Sequence, residues 1–216
     1  MTALDAVIAE VAACTACDRV LHSHVLGAGN GDPTARVMFV GEAPGRLGAG
    51  RTGIPFYGDE SGRRFEAFLA LAGLSRSEVF VTNTILCNPL DAKSNNRRPL
   101  TSEIRRCLPF LRAQVEAVDP VVVVALGDVA LTALGLVKAH ETSLRNGCGL
   151  PRPWFGRTLV PLYHPGRQST LHRPDAAQRA DWQRLGEYLR GERQSSISKV
   201  TPMPLSGAAG VRQAMK

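Results

Sequence analysis

Apolar positions follow two different patterns along the chain. Residues 37–40, 79–81 and 121–125 are apolar throughout, and 158–162 nearly so. Short unbroken apolar runs suit strands covered on both faces. Between them the spacing turns helical. Leu4, Val7, Ile8 and Val11 predict a helix over about 2–13 with Thr2 as its N-cap, and Phe65, Phe68, Leu69 and Leu71 predict one over 61–71. Ile104, Leu108, Leu111 and Val115 predict a helix from Thr101, with Glu103 in its first turn and Pro120 as its stop. Further helices are expected over 128–134 and 174–190, the last anchored by Trp182, Leu185 and Leu189.

Strands alternating with helices predict an α/β fold, a three-layer αβα sandwich around a central four-stranded parallel sheet. In such sheets ligands bind outside the carboxyl ends of the strands. Gly41 to Gly45, Asn83, and His164 to Gly166 all fall at such ends, so they are expected to meet at one cleft. Residues 1–192 read as one domain. Residues 193–216, rich in Ser, Pro, Gly and Ala, read as a flexible tail.

With 44% hydrophobic and 21% charged residues, the composition is that of a soluble globular protein. No apolar run approaches the roughly 20 residues of a membrane span. No basic stretch followed by an apolar core opens the chain, so no signal peptide is expected and the cytoplasm is the expected compartment. A net charge of +7, carried mostly by Arg, points to a polyanionic partner or simply to a solvated basic surface.

Five cysteines in a reducing compartment call for a reason other than disulfides. Cys14 and Cys17 form a CxxC at a helix end, where two thiolates can address one metal. Cys87 and Cys107 flank a polar loop and can supply two more ligands, or can be small buried core residues. Four thiolates suit zinc or an iron–sulfur cluster. Cys148 has no near partner in sequence and reads as a spare thiol.

Several segments together resemble the uracil-DNA glycosylase superfamily, its iron–sulfur families four and five in particular. Gly41-Glu42-Ala43-Pro44-Gly45 is similar to the first motif of family four. Residues 51–59, RTGIPFYGD, and 164–170, HPGRQST, are more similar to family five. Thr82-Asn83, Cys87, Pro99, Glu103, Cys107 and Pro109-Phe110-Leu111 follow a pattern both families share. The resemblance spans about 14–189. It implies a [4Fe–4S] cluster on Cys14, Cys17, Cys87 and Cys107 that shapes a DNA-facing loop rather than cleaving the bond. The loop between Cys87 and Cys107 is a few residues longer than the family pattern.

The implied activity is excision of uracil from single- or double-stranded DNA by a monomeric enzyme. That chemistry needs a base drawn out of the stack, a stabilised leaving anion and a placed water. Phe56 is the ring on which uracil would stack, with Glu42 and Ala43 shaping the pocket. The Asn83 amide can accept from uracil N3–H and donate to O4, which cytosine's reversed pattern would not satisfy. His164 is placed to donate to O2 as charge develops on the base. Asp59 is expected to orient water, with Glu42 as the other candidate carboxylate. Arg97, Arg98, Arg167, Gln168, Ser169 and Arg173 are expected to contact DNA, and Leu171 or a neighbour to enter the gap. Family four has an acidic residue soon after GEAPG, where this chain has Arg46, Leu47 and Gly48. A broader range that includes hypoxanthine or mismatched thymine is therefore one alternative, and a non-catalytic iron–sulfur DNA-binding or redox-sensing protein is another. The loop over 88–98 lacks the His by which one relative traps its product.

Overall fold

The computed structural model describes residues 2–198. In chain order the strands are β1 (Val20–Leu21), β2 (Val37–Gly41), β3 (Val79–Asn83), β4 (Asn88–Pro89), β5 (Val122–Leu126), β6 (Arg152–Trp154) and β7 (Arg157–Leu162). The α-helices are α1 (Ala3–Ala12), α2 (Ala49–Thr52), α3 (Glu60–Leu71), α4 (Thr101–Val118), α5 (Asp128–Val137), α6 (Leu144–Gly147) and α7 (Asp175–Ser198). The main sheet runs β3-β2-β5-β7-β6. Its first four strands are parallel, as the apolar runs predict. The expectation of four strands needs one correction: β6 adds a fifth, antiparallel to β7 at the edge. A separate two-stranded ribbon pairs β1 with β4.

Alternation along each parallel strand divides the core in two. Met38, Val40, Phe80, Val123 and Ala125 face α1, α4 and α5. Phe39, Val81, Val124, Val160 and Leu162 face α3 and α7, where Trp182 stacks on Phe39 with ring centroids 5.4 Å apart. Both faces are therefore dry, which is why these strands carry no polar alternation.

The helix ends follow local chemistry. Thr2 and Asp5 close a capping box on α1, and Asp59 caps α3 by accepting from the Gly62 N–H at 2.8 Å. Glu103 reaches back to the Leu100 N–H at 2.8 Å to close the start of α4. That helix ends at Asp119 in a left-handed conformation, just before Pro120. The last helix runs past its expected end at 190 to Ser198, and the rest of the expected tail lies outside the described residues. No helix among the described residues is long and apolar enough to cross a membrane.

Candidate active site and metal centre

A cavity of about 650 Å³ opens at the carboxyl ends of the parallel strands. Glu42, Ala43, Phe56, Asp59, Asn83 and His164 all line it, although 122 residues separate the first from the last (164 − 42). The sheet brings them together: β2 delivers Glu42 and Ala43, β3 ends on Asn83 directly beside Gly41, and β7 leads into His164.

Asn83 is 2% exposed, and its Nδ2 has no hydrogen-bond partner in the protein. A buried unpaired donor is costly, by about 1–3 kcal/mol, unless something arrives to accept from it. Gly41 keeps the space beside it open. A methyl group on Gly41 would sit 2.6 Å from Asn83 Oδ1 and 2.7 Å from the Phe56 ring.

The Phe56 ring rests on Phe65, with centroids 4.9 Å apart and 25° between planes, and its centroid lies 5.4 Å from that of His164. Its backbone is in the left-handed region at φ 50°, which bulky residues rarely adopt. Arg76 holds that conformation by donating to the carbonyls of Pro55 at 3.0 Å and Phe56 at 2.9 Å. Strain of this kind, kept in place by dedicated hydrogen bonds, is common at ligand sites.

His164 Nδ1 accepts the Gly166 N–H at 2.9 Å, so the ring proton of the neutral form sits on Nε2. Burial pulls the imidazole down to about 4, against Asp59, which acts in the opposite direction. At neutral pH the ring is therefore an uncharged donor. Asp59 uses Oδ1 to cap α3, while Oδ2 lies beside Gly45 and Gly48. Burial raises the Glu42 carboxyl above its ordinary range; Arg98 opposes the rise and Asp128 adds to it.

The basic residues separate into two groups. Arg167 is 81% exposed in its side chain, and a 3₁₀ turn over Arg167–Leu171 carries Gln168 and Ser169 at the cavity edge, with Leu171 84% exposed at its end. Arg98 stands on the rim, paired with the equally exposed Asp128 at 2.5 Å. These can meet a phosphate. Arg97 and Arg173 are held by partners within the fold. Arg97 donates to Glu103 through two nitrogens, at 2.6 and 2.8 Å, and to the carbonyls of Leu90, Arg98 and Arg19. All five of its donors are engaged, leaving none for DNA. Arg173 pairs through two nitrogens with Asp181, which is 1% exposed and also held by Arg184. Both arginines neutralise buried carboxylates. Arg97→Ala is expected to cost about 3–5 kcal/mol of stability by stranding the Glu103 charge. Arg98→Ala should leave the melting temperature in place and flatten the salt dependence of DNA binding by about one unit of slope. Thermal melts and binding titrations at several salt concentrations separate the two outcomes.

The four expected ligand cysteines converge. The Cys87 thiol is raised first by burial, and Cys14 and Cys17 both push it further. Cys107 reaches about 12, again through burial first, with Cys87, Cys17 and Cys14 adding to it. Backbone N–H groups of His24 and Ser23 face the Cys87 sulfur, and that of Leu86 faces Cys107. A group of four cysteines in which Cys14 and Cys17 act on both Cys87 and Cys107, with backbone N–H groups at the latter two sulfurs, fits a cationic centre that would take their protons. His22 and His24 approach Cys87, the three ligand atoms lying within 4.8 Å of one another, but His24 Nε2 also lies 2.8 Å from the Cys14 carbonyl. Cys148 stands apart and donates to Asp181 at 3.3 Å.

Among the lining residues that escape a reading of the sequence are Asn88, Asn96 and Asp128. Asp128 follows β5, so its place at a fourth strand end was the available signal. The two asparagines sit in a polar loop, where Asn ordinarily reads as turn chemistry.

The family model described as "Uracil DNA glycosylase superfamily" matches residues 28–186. The type-4 uracil-DNA glycosylase of Thermotoga maritima is 35% identical over 163 residues, covering 75% of this chain and 81% of that protein. The type-4 enzyme of Archaeoglobus fulgidus is 32% identical over 213 residues, 91% of this chain and 98% of its own. The type-5 enzyme of Thermus thermophilus is 36% identical over 159 residues, 66% and 69% of the two chains. Similarity to both types agrees with the mixed motifs around the cavity, and its extent identifies the chain as a member of the uracil DNA glycosylase superfamily.

Proposed function

We propose that this chain is an iron–sulfur uracil-DNA glycosylase that flips uracil out of DNA and hydrolyses its N-glycosidic bond, leaving an abasic site for base excision repair. The observation that carries this reading is the Asn83 amide at the cavity: its Nδ2 is buried and unpaired, and its Oδ1 borders the gap that Gly41 keeps open beside Phe56. Uracil stacks on Phe56 and receives that donor at O4, while Asn83 Oδ1 accepts from N3–H. Glu42 and Ala43 close the pocket around it.

As the bond from the sugar C1′ to uracil N1 breaks, its electron pair leaves with the base. His164 Nε2–H donates to O2 and stabilises the uracil anion without itself becoming charged. Asp59 Oδ2 orients a water and offsets the positive sugar; the water oxygen bonds to C1′ as its proton passes through Asp59 to solvent, and the departed uracil anion takes up a proton from solvent. The balance is one water consumed, with uracil and an abasic sugar formed.

Arg98, Arg167, Gln168 and Ser169 contact the DNA backbone, and Leu171 enters the space the flipped base leaves. Cys14, Cys17, Cys87 and Cys107 would hold the [4Fe–4S] cluster, which supplies a fixed cross-link for the loop between the last two and takes no part in bond cleavage. The enzyme works as a monomer and in the cytoplasm, where thiols stay reduced. A non-catalytic cluster protein would have no use for the unpaired Asn83 donor.

Iron-loaded protein incubated with an end-labelled uracil oligonucleotide should produce alkali-sensitive strand breaks at the uracil. No breaks on either single- or double-stranded substrate would overturn the assignment. Leu171→Ala should slow excision from duplex on the order of tenfold and from single strands far less, because only the duplex must be unstacked and held open. Equal losses on both substrates would remove the wedge role.

A further inference from the structure

We infer that Asn88 is a positioning residue that ties the uracil pocket to the cluster-bearing segment, an inference that rests on the pocket and cluster proposed above. Asn88 follows Cys87 directly, pairs with Leu21 across the β1–β4 ribbon, and is completely buried. Its Nδ2 donates to the Pro44 carbonyl at 2.5 Å and to Asn96 Oδ1 at 3.1 Å. Asn96 Oδ1 in turn accepts the Arg46 N–H at 2.9 Å. A backbone carbonyl only accepts and a backbone N–H only donates, so the orientation of both amides is fixed. Together they bracket Gly45 from its two sides.

That bracket holds the turn on which the pocket depends. Glu42 and Ala43 precede it, and Asp59 Oδ2 would lie 3.3 Å from a methyl group on Gly45. A change in the turn therefore moves the pocket wall and the surroundings of Asp59 together. At the other end Cys87, the adjacent residue, is fixed by whatever centre it ligates. The expected cluster ligand and the grip on the pocket are thus neighbours in the chain.

The grip leaves a polar group unpaired. Both hydrogens of Nδ2 are engaged in it, while Asn88 Oδ1 is buried with no partner in the protein. Buried polar atoms are rarely left so. A residue kept only for packing would avoid this, and an alanine or serine in its place would lose the bracket.

Coupling of this kind is reciprocal: a ligand that steadies the turn must also steady the cluster segment. In the holoenzyme, saturating free uracil should slow the loss of the cluster's visible absorbance to an iron chelator several-fold. Asn88→Ala should begin with wild-type iron content, lose that protection, and show kcat reduced about 10- to 100-fold with KM little changed. Should Asn88→Ala not fold, Asn96→Ala breaks the same bracket from its exposed end and must abolish the protection. Protection retained in the variant, or absent from the wild type, would overturn the coupling. A wild-type protein without iron or without excision would instead strike the underlying reading, and the coupling with it.

Discussion

Asn83→Ala is expected to lower uracil excision by about a thousandfold or more while the fold survives. The expectation follows from where the side chain stands. Asn83 is the last residue of β3, its backbone locked beside Gly41 of β2, so truncation removes no strand pairing and no core packing. What it removes is the group that, on the proposed reading, would complement the uracil edge at both N3–H and O4. Sites built to hydrogen-bond a substrate discriminate by about 10⁴–10⁵ against a partner lacking the match, because groups are then left unpaired in a dry pocket. Deleting the protein's half of the same match should have an effect of similar order. His164→Ala should cost less, about 10²–10³-fold, since it withdraws one donor to the leaving anion. Single-turnover rates on a uracil oligonucleotide, read beside thermal melts, measure both. A folded Asn83→Ala enzyme within about tenfold of the wild-type rate would remove Asn83 from base recognition.

The neutral state of His164 was open from the sequence and follows from contacts. A His-Pro-Gly turn at a strand end says where the ring lies, but not which nitrogen carries the proton. The Gly166 N–H at Nδ1 decides that, and burial keeps the ring uncharged down to about pH 4. Phe56 is similar: its side-chain type was legible, while the left-handed backbone and the Arg76 clamp depend on a residue twenty positions away.

The parallel strands were legible because burial on both faces leaves an unmistakable apolar run. The fifth strand was not. Arg152–Trp154 is three residues long, exposed at its first two positions and interrupted by Pro153, and it forms because Arg157–Leu162 offers it an edge. Partnership also sets the surroundings of Arg97 and Arg173. Sequence reports charge at Arg97 and Arg173, but their roles are set by Glu103 and Asp181, whose burial appears only when α4 and α7 are packed. An arginine beside a buried carboxylate stabilises the fold, and one beside water is available to phosphate. Asn88 and Asn96 were hidden for a related reason, since their partners, Pro44 and Arg46, lie more than forty residues earlier.

Cys107→Ala is expected to abolish cluster retention and, through it, the order of the segment from Cys87 to α4. Cys107 lies on α4 facing the other three sulfurs, and its burial keeps a free thiol protonated, at about 12. A metal centre held there would take that proton as the thiol became its ligand, so binding and folding would be linked. Removing one ligand of four therefore withdraws more than one side chain's contacts. The segment it holds carries Asn88, Arg97 and Arg98, so the pocket wall and the DNA-facing rim should both lose definition. The variant protein should be colourless and iron-poor, melt at a lower temperature, and bind undamaged DNA more weakly than wild type. Cys148→Ala is the internal control. Its thiol is also raised to about 12 by burial, but it sits against Asp181 rather than among the sulfurs, and its loss should leave the iron content unchanged. Wild-type iron in Cys107→Ala would exclude this cysteine from the ligand set, and equal iron loss in both variants would show that removing a buried thiol, rather than a ligand, is what matters.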